Sequence, residues 1–258
     1  MYGAIIGDIA GSVYEFDPSM KTKVFPFFSK ASEITDDTVM TVAIADAIMN
    51  NKEYGERMHY WGRKYPYESY VNRFIRWLMT DTPRPYNSFG NGSAMRVAPV
   101  GFYFSTIEKV RHEAKMSALP THNHPEGIKG AEAVASAIFL ARNGHSKQEL
   151  KRYIETEFFY NLDRTVDNVR KTYRFDETCQ GSVPESIIAF LEGEDYEDTI
   201  RNAVSLGGDA DTQAAIAGSI AEAYFGIPEE LIEKAKEYIP EDMQKVIDSF
   251  YIRKKNID

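Results

Sequence analysis

Apolar residues recur along most of the chain at three- and four-residue intervals, the spacing of a helix buried on one face. The pattern predicts helices over residues 36–51, 55–64, 68–80, 106–118, 126–143, 146–155, 182–192, 195–206, 211–225, 229–238 and 241–252. Alternation of strand type is nearly absent, so the fold class expected is all-α. Two segments are not one-sided. Val39, Val42, Ala43, Ala45, Ala47 and Ile48 in one, and Ala214, Ala215, Ile216, Ala217, Ile220 and Ala221 in the other, put small and branched residues around most of the circumference. Such helices belong in the middle of a bundle, packed closely on several sides.

Three stretches interrupt the periodicity. Residues 16–34 and 158–181 are polar and aromatic without a clear repeat, and 80–92 is a loop punctuated by Pro83, Pro85, Gly90 and Gly92. Long loops inside a compact domain tend to carry function. No shift of composition marks a linker, so one domain over 1–258 is expected.

Composition narrows the class. Sixteen tyrosines and fifteen phenylalanines in 258 residues supply a full core and argue against disorder. A net charge of −9 argues against a broad nucleic-acid surface, though a small anion held on backbone N–H groups needs no net positive charge. The single cysteine, Cys179, leaves no internal disulfide, fits a reducing compartment, and has no neighbouring His or acid pattern to activate it. Asp8 cuts the apolar run at residues 3–6, and nothing else reaches the length of a membrane span. A cytoplasmic monomer is expected. Arg253, Lys254 and Lys255 read as a solvated helix end that complements the macrodipole.

The candidate chemistry lies in short clusters. Thr35-Asp36-Asp37-Thr38 and Asp209-Ala210-Asp211-Thr212 each place two carboxylates beside threonine hydroxyls where a helix begins. Either alone reads as a cap, since Asp and Thr satisfy free N–H groups there. A cap needs one side-chain oxygen, however, and Gly207-Gly208 followed by two carboxylates supplies more. If the clusters meet, only cations make four carboxylates tolerable, and oxygen ligands without Cys favour Mg²⁺ or Mn²⁺, two ions a few ångströms apart. Gly7 and Gly11, four apart, let another helix approach one face of the N-terminal segment. Glu15 at its end is either an ordinary exposed helix end or a carboxylate working near the metals.

Gly90-Asn91-Gly92-Ser93-Ala94-Met95-Arg96 opens a helix after a loop and suits a phosphate on free N–H groups, with a turn capped by Ser93 as the plainer reading and Arg96 paired to an internal carboxylate. In Thr121-His122-Asn123-His124-Pro125 no third zinc ligand is near, so the histidines are expected to bond a ligand or to cap. His59, His112 and His145 read as surface residues.

Gly7-Asp8-x-x-Gly11-Ser12-x-Tyr14-Glu15, the two Asp/Thr clusters, Gly90 through Arg96 and Thr121-His122 occur in the order seen in ADP-ribosylglycohydrolases, which the chain resembles from Gly3 to about Pro228. The resemblance, which includes the dinitrogenase reductase-activating glycohydrolases, implies an all-α, orthogonally packed bundle around a binuclear Mg²⁺ or Mn²⁺ centre. It implies hydrolysis of the bond between ADP-ribose and an acceptor, a protein side chain or a small molecule. Thr35, Asp36, Asp37, Asp209, Asp211 and Thr212 would be the metal ligands. Asn91, Gly92, Ser93, Met95 and Arg96 would cradle the diphosphate and distal ribose, and His122 would contact the ligand. Glu15 would sit beside the second metal as ligand or gate, and Glu15, Asp36 or Asp37 would handle the proton. Two rival readings remain: a non-catalytic ADP-ribose-binding or structural member of the fold, and a two-metal phosphohydrolase. Tyr160 and Tyr173 are candidates for stacking on the adenine, against a plain packing role.

Overall fold

A computed structural model describes residues 1–255, so the last three residues of the expected domain lie outside the described residues. The chain is a succession of helices: α1 (Tyr2–Gly11), α2 (Asp36–Asn50), α3 (Tyr54–Lys64), α4 (Asn72–Leu78), α5 (Gly92–Met95), α6 (Ala98–Tyr103), α7 (Ile107–Ala118) and α8 (Pro125–Arg142). The second half adds α9 (Lys147–Phe158), α10 (Val166–Thr172), α11 (Cys179–Glu192), α12 (Tyr196–Val204), α13 (Ala210–Phe225), α14 (Glu229–Lys236) and α15 (Glu241–Lys255). The fold is all-α; among the described residues the only β pairing is an isolated bridge between Gly90 and Thr178. No described helix is long and apolar enough to cross a membrane.

The two helices with apolar residues all round are central, as their patterns demand. Every residue of α13 from Ala210 to Ala221 is buried, as are nearly all those of α2. Against α13 lies α1, itself buried along its whole length. A Cβ on Gly3 would stand 2.2 Å from Gly218 O, one on Gly7 2.2 Å from Ala214 O, and one on Gly11 2.5 Å from Ala210 O. The partner numbers fall as the glycine numbers rise, so the helices are antiparallel, and the missing side chains let the backbones touch. The C-terminal end of α1 thereby meets the N-terminal end of α13.

Some boundaries differ from the sequence expectation. The helix expected over 68–80 begins only at Asn72, because Ser69 is left-handed (φ 41°) and Val71 is extended. The stretch 158–181 is not structureless: the Thr165 side chain accepts from Asn168 N to start α10, and Thr178 accepts from Gly181 N to start α11 three residues before the expected 182. α6 is absent from the prediction because Pro99 and Gly101 read as breakers, yet a proline in the first turn gives up no hydrogen bond. Arg253 is exposed, as expected, but also donates to Met49 O near the end of α2.

Candidate active site

The first helix does more than pack. Its glycine face holds α13, and Asp8, buried on α1, accepts from Thr35 N (3.0 Å), Thr35 Oγ1 (2.8 Å), Thr38 N (3.1 Å) and the Thr38 hydroxyl. One carboxylate therefore caps α2 from outside that helix, while the Thr35 hydroxyl accepts from Asp37 N (3.2 Å) as its own N-cap. α1 is the bracket that brings the two Asp/Thr clusters together. Asp8 carries no role in the sequence reading; the signal was a lone charge in an otherwise apolar helix.

The clusters do meet. Thr212 donates to Asp37 Oδ2 at 3.1 Å across 175 residues of chain. Carboxylate oxygens of Glu15, Asp209 and Asp211 all lie within 4.8 Å of one another. Glu15 reaches them from just past a 3-10 turn, Ser12–Tyr14, that continues α1. The turn before Asp209 is held by Gly207, left-handed at φ 63°, and by the Lys21 ammonium, which donates to Tyr173 O (2.9 Å), to Leu206 O and weakly to Gly207 O. Asn91 Nδ2 donates to Asp209 Oδ2 at 2.6 Å and fixes that carboxylate's orientation.

Gathered carboxylates without a counter-charge resist ionisation. Burial, then repulsion from Asp209 and Asp8, pushes Glu15 up to about 7. Burial and the neighbouring acids hold Asp36, Asp37 and Asp211 well above the usual carboxylate range, and burial raises Asp209 despite its hydrogen bonds. Asp8 reaches about 6, burial outweighing four hydrogen bonds. Asp37 Oδ1 is buried with no hydrogen-bond partner among the described residues. An orphaned carboxylate oxygen inside a set of oxygen donors is what a hard divalent cation would satisfy. Cys179 is no part of it: the thiol is buried, donates to Gly90 O at 3.0 Å, and is pushed up to about 12 by burial.

Glu15, Asp36, Asp37, Asp209 and Asp211 line a cavity of ≈ 270 Å³. Gly90, Asn91, Gly92, Met95, Arg96 and His122 line it as well, with Tyr86, Phe89 and Phe175 as an aromatic wall. Arg96 is 1% exposed; its Nη2 donates to Ser117 O (3.1 Å) and Thr121 Oγ1 (2.9 Å), and it makes no ion pair with a carboxylate among the described residues. Burial lowers it only to about 10, so it stays charged.

Two expected site residues point elsewhere. Ser93 Oγ donates to Gly127 O (2.6 Å) and does not line the cavity, and the Thr35 hydroxyl faces Asp8. Tyr160 is buried against Lys129, and Tyr173 packs over Gly208; neither lines the cavity. The two histidines of the His-x-His motif divide their tasks: His124 Nδ1 accepts from Glu126 N and caps α8, and His122 faces the cavity. Of the others, His112 is exposed, whereas His59 is half-buried against Trp77.

Residues 1–257 match the family model described as ADP-ribosylglycohydrolase. The chain belongs to the ADP-ribosylglycohydrolase family. Among relatives in this family, an uncharacterized protein of Archaeoglobus fulgidus is 30% identical over 92% of this chain and 85% of the relative. The ADP-ribosylarginine hydrolase Tri1 of Pseudomonas putida is 25% identical over 100% of this chain and 78% of its own length. The human ADP-ribosylhydrolase ARH3 is 26% identical over 93% and 89%. A solved structure titled as an ADP-ribosylglycohydrolase-related protein complex superposes with a TM-score of 0.73 at 24% identity, covering 97% of this chain and 94% of that one, and supports the fold.

Proposed function

We propose that the protein is a metal-dependent hydrolase that releases intact ADP-ribose from an ADP-ribosylated acceptor by cleavage at the anomeric carbon. The observation that carries this reading is the mixed lining of one cavity. Gathered carboxylates share it with the Gly90–Gly92 loop, His122 and the buried, charged Arg96. A ligand that carries both a polyhydroxylated sugar and a diphosphate complements the two chemistries. Relatives named as an ADP-ribosylarginine hydrolase and as ADP-ribosylhydrolases support the same substrate class.

Asp36, Asp37 and Thr212 on one side, and Glu15, Asp209 and Asp211 on the other, would hold Mg²⁺ or Mn²⁺. Thr35, whose hydroxyl donates to Asp8 and accepts from Asp37 N, would join them only through its remaining lone pair. When bound, the ions supply positive charge that neutralises the acids and orients ribose hydroxyls and water. Thr212 and Asn91 hold the Asp37 and Asp209 carboxylates in place. Breaking the bond from the anomeric carbon builds positive charge on the ribose, which the surrounding carboxylates stabilise. A carboxylate oxygen of Glu15, Asp36 or Asp37 takes a proton from the attacking water and returns one to the departing acceptor atom. Glu15 and Asp36 keep part of their surface open to the cavity, which favours them over the buried Asp37.

The test is a panel of arginine-linked and serine-linked ADP-ribose substrates assayed with Mg²⁺, with Mn²⁺ and with EDTA, with products resolved by chromatography. Release of intact ADP-ribose that EDTA abolishes is expected. Activity surviving EDTA refutes the metal requirement, AMP or free phosphate identifies a phosphohydrolase, and binding without turnover identifies a reader.

A further inference from the structure

Behind the glycine loop, Arg96, Thr121 and His122 form a buried chain of hydrogen bonds. Arg96 Nη2 lies 2.9 Å from Thr121 Oγ1, and Thr121 Oγ1 lies 2.7 Å from His122 Nδ1. A guanidinium can only donate, so one lone pair of the Thr121 hydroxyl is taken. Thr121 is fully buried, and its hydroxyl has no other partner among the described residues. If Nδ1 carried a proton and donated as well, the hydroxyl hydrogen would be left buried without an acceptor, at about 1–3 kcal/mol. The hydroxyl therefore donates to Nδ1. A neutral imidazole that accepts at Nδ1 carries its proton at Nε2. Burial, and next the Arg96 charge, keep His122 well below its ordinary value, so the ring is neutral. Nε2 makes no hydrogen bond to protein among the described residues. A Cβ on Gly92 would stand 3.3 Å from it, so the ring edge lies over the glycine loop at the cavity surface.

We propose that Thr121 and Arg96 are positioning residues that lock His122 in the Nε2–H tautomer, so that the cavity over Gly90 and Gly92 presents a donor to an oxygen of the ligand. Arg96 orients the hydroxyl, the hydroxyl sets the tautomer, and the His122 Nε2–H is the group this chain presents to the ligand oxygen. The ligand's identity as ADP-ribose rests on the functional reading above; the tautomer does not.

The experiment uses the full chain labelled with ¹⁵N at its five histidines, read by long-range ¹H–¹⁵N correlation at neutral pH. The His122 signals are assigned by their loss in His122→Gln. A protonated Nε2 with a bare Nδ1 is expected; the reverse pattern, or an imidazolium, overturns the proposal in the wild type without any variant. Thr121→Val keeps the shape and removes the donor. It is expected to mix the tautomers and to weaken ADP-ribose binding, measured by calorimetry, about tenfold, the worth of one hydrogen bond. Thr121→Ser is expected to restore both. An unchanged tautomer and affinity in Thr121→Val overturns the proposal. Wild-type protein that fails to bind ADP-ribose refutes the functional reading instead, while the spectrum still decides the tautomer.

Discussion

Gly7→Ala tests whether α1 is the bracket of the site. The added Cβ would lie 2.2 Å from Ala214 O, 2.4 Å from Ala214 C and 2.7 Å from Ala215 N. All three atoms are backbone, so no side chain can rotate away. Reaching even the 3.0 Å floor for such contacts requires the helices to part by about 0.8 Å, the gap from 2.2 Å. A gap of that size forfeits roughly a quarter to a half of the dispersion attraction along the seam. Overpacking costs about 1–3 kcal/mol, and contact with main chain on a helix buried along its whole length places this substitution near the upper end. For a chain of this size about 3 kcal/mol lowers the Tm by roughly 6–12 °C.

The same movement separates Asp8, and with it the start of α2, from Asp209 and Asp211. A misplacement of about 1 Å between catalytic groups is enough for on the order of a hundredfold loss of rate. Thermal and urea unfolding read the first effect, and turnover at a temperature where the variant is folded reads the second. Gly55→Ala is the control: its nearest neighbour would be the Pro120 Cβ at 3.3 Å, and it sits in α3, where alanine is favoured over glycine by about 1 kcal/mol. Gly7→Ala within about 0.5 kcal/mol of wild type and fully active would refute the close approach and the bracket together.

Mg²⁺ or Mn²⁺ at about a hundred times its Kd should stabilise the fold by about 2.7 kcal/mol, a rise in Tm of roughly 5–11 °C by differential scanning fluorimetry. Asp36→Asn and Asp209→Asn should each lose that rise along with turnover; full activity and metal affinity in both would disprove the ligand assignment. Burial holds the Cys179 thiol up at about 12, so the folded protein should leave a disulfide reagent unreacted at pH 8, and one thiol should titrate in denaturant. His122 is held below its ordinary value in the folded state, so below pH 6.5 the unfolded chain binds a proton that the folded chain does not. Its contribution therefore destabilises the fold as pH falls, by about 1.4 kcal/mol per pH unit. The wild-type minus His122→Gln difference in unfolding free energy should show that slope, and a flat difference between pH 6.5 and 5 would contradict a neutral buried ring.

How far the sequence discloses this site depends on the range of each interaction. Helices such as α2, α8 and α13 are legible because periodicity and caps are local. α10 hides because only Val166 and Val169 anchor it, too few for a pattern. The Asp/Thr clusters declare their chemistry locally, but their meeting depends on the register of α1 along α13, which is set by backbone contact at Gly3, Gly7 and Gly11. The Ser93 hydroxyl shows how little a local pattern says about a side chain's partner. Its place in a glycine loop suggests a ligand contact, yet Gly127 O, thirty-four residues on, takes its hydroxyl. Tyr86 and Phe89 lie in a loop already marked by its prolines and glycines, although nothing local says that they line the cavity. Asp8 is the instructive case. A single carboxylate in a helix with no other charged side chain is too unfavourable to bury without donors, and a helix start with two threonines three residues apart supplies four of them. A charge on one face and a glycine stripe on the other identify a helix that must serve two partners, and here those partners are the two halves of the site.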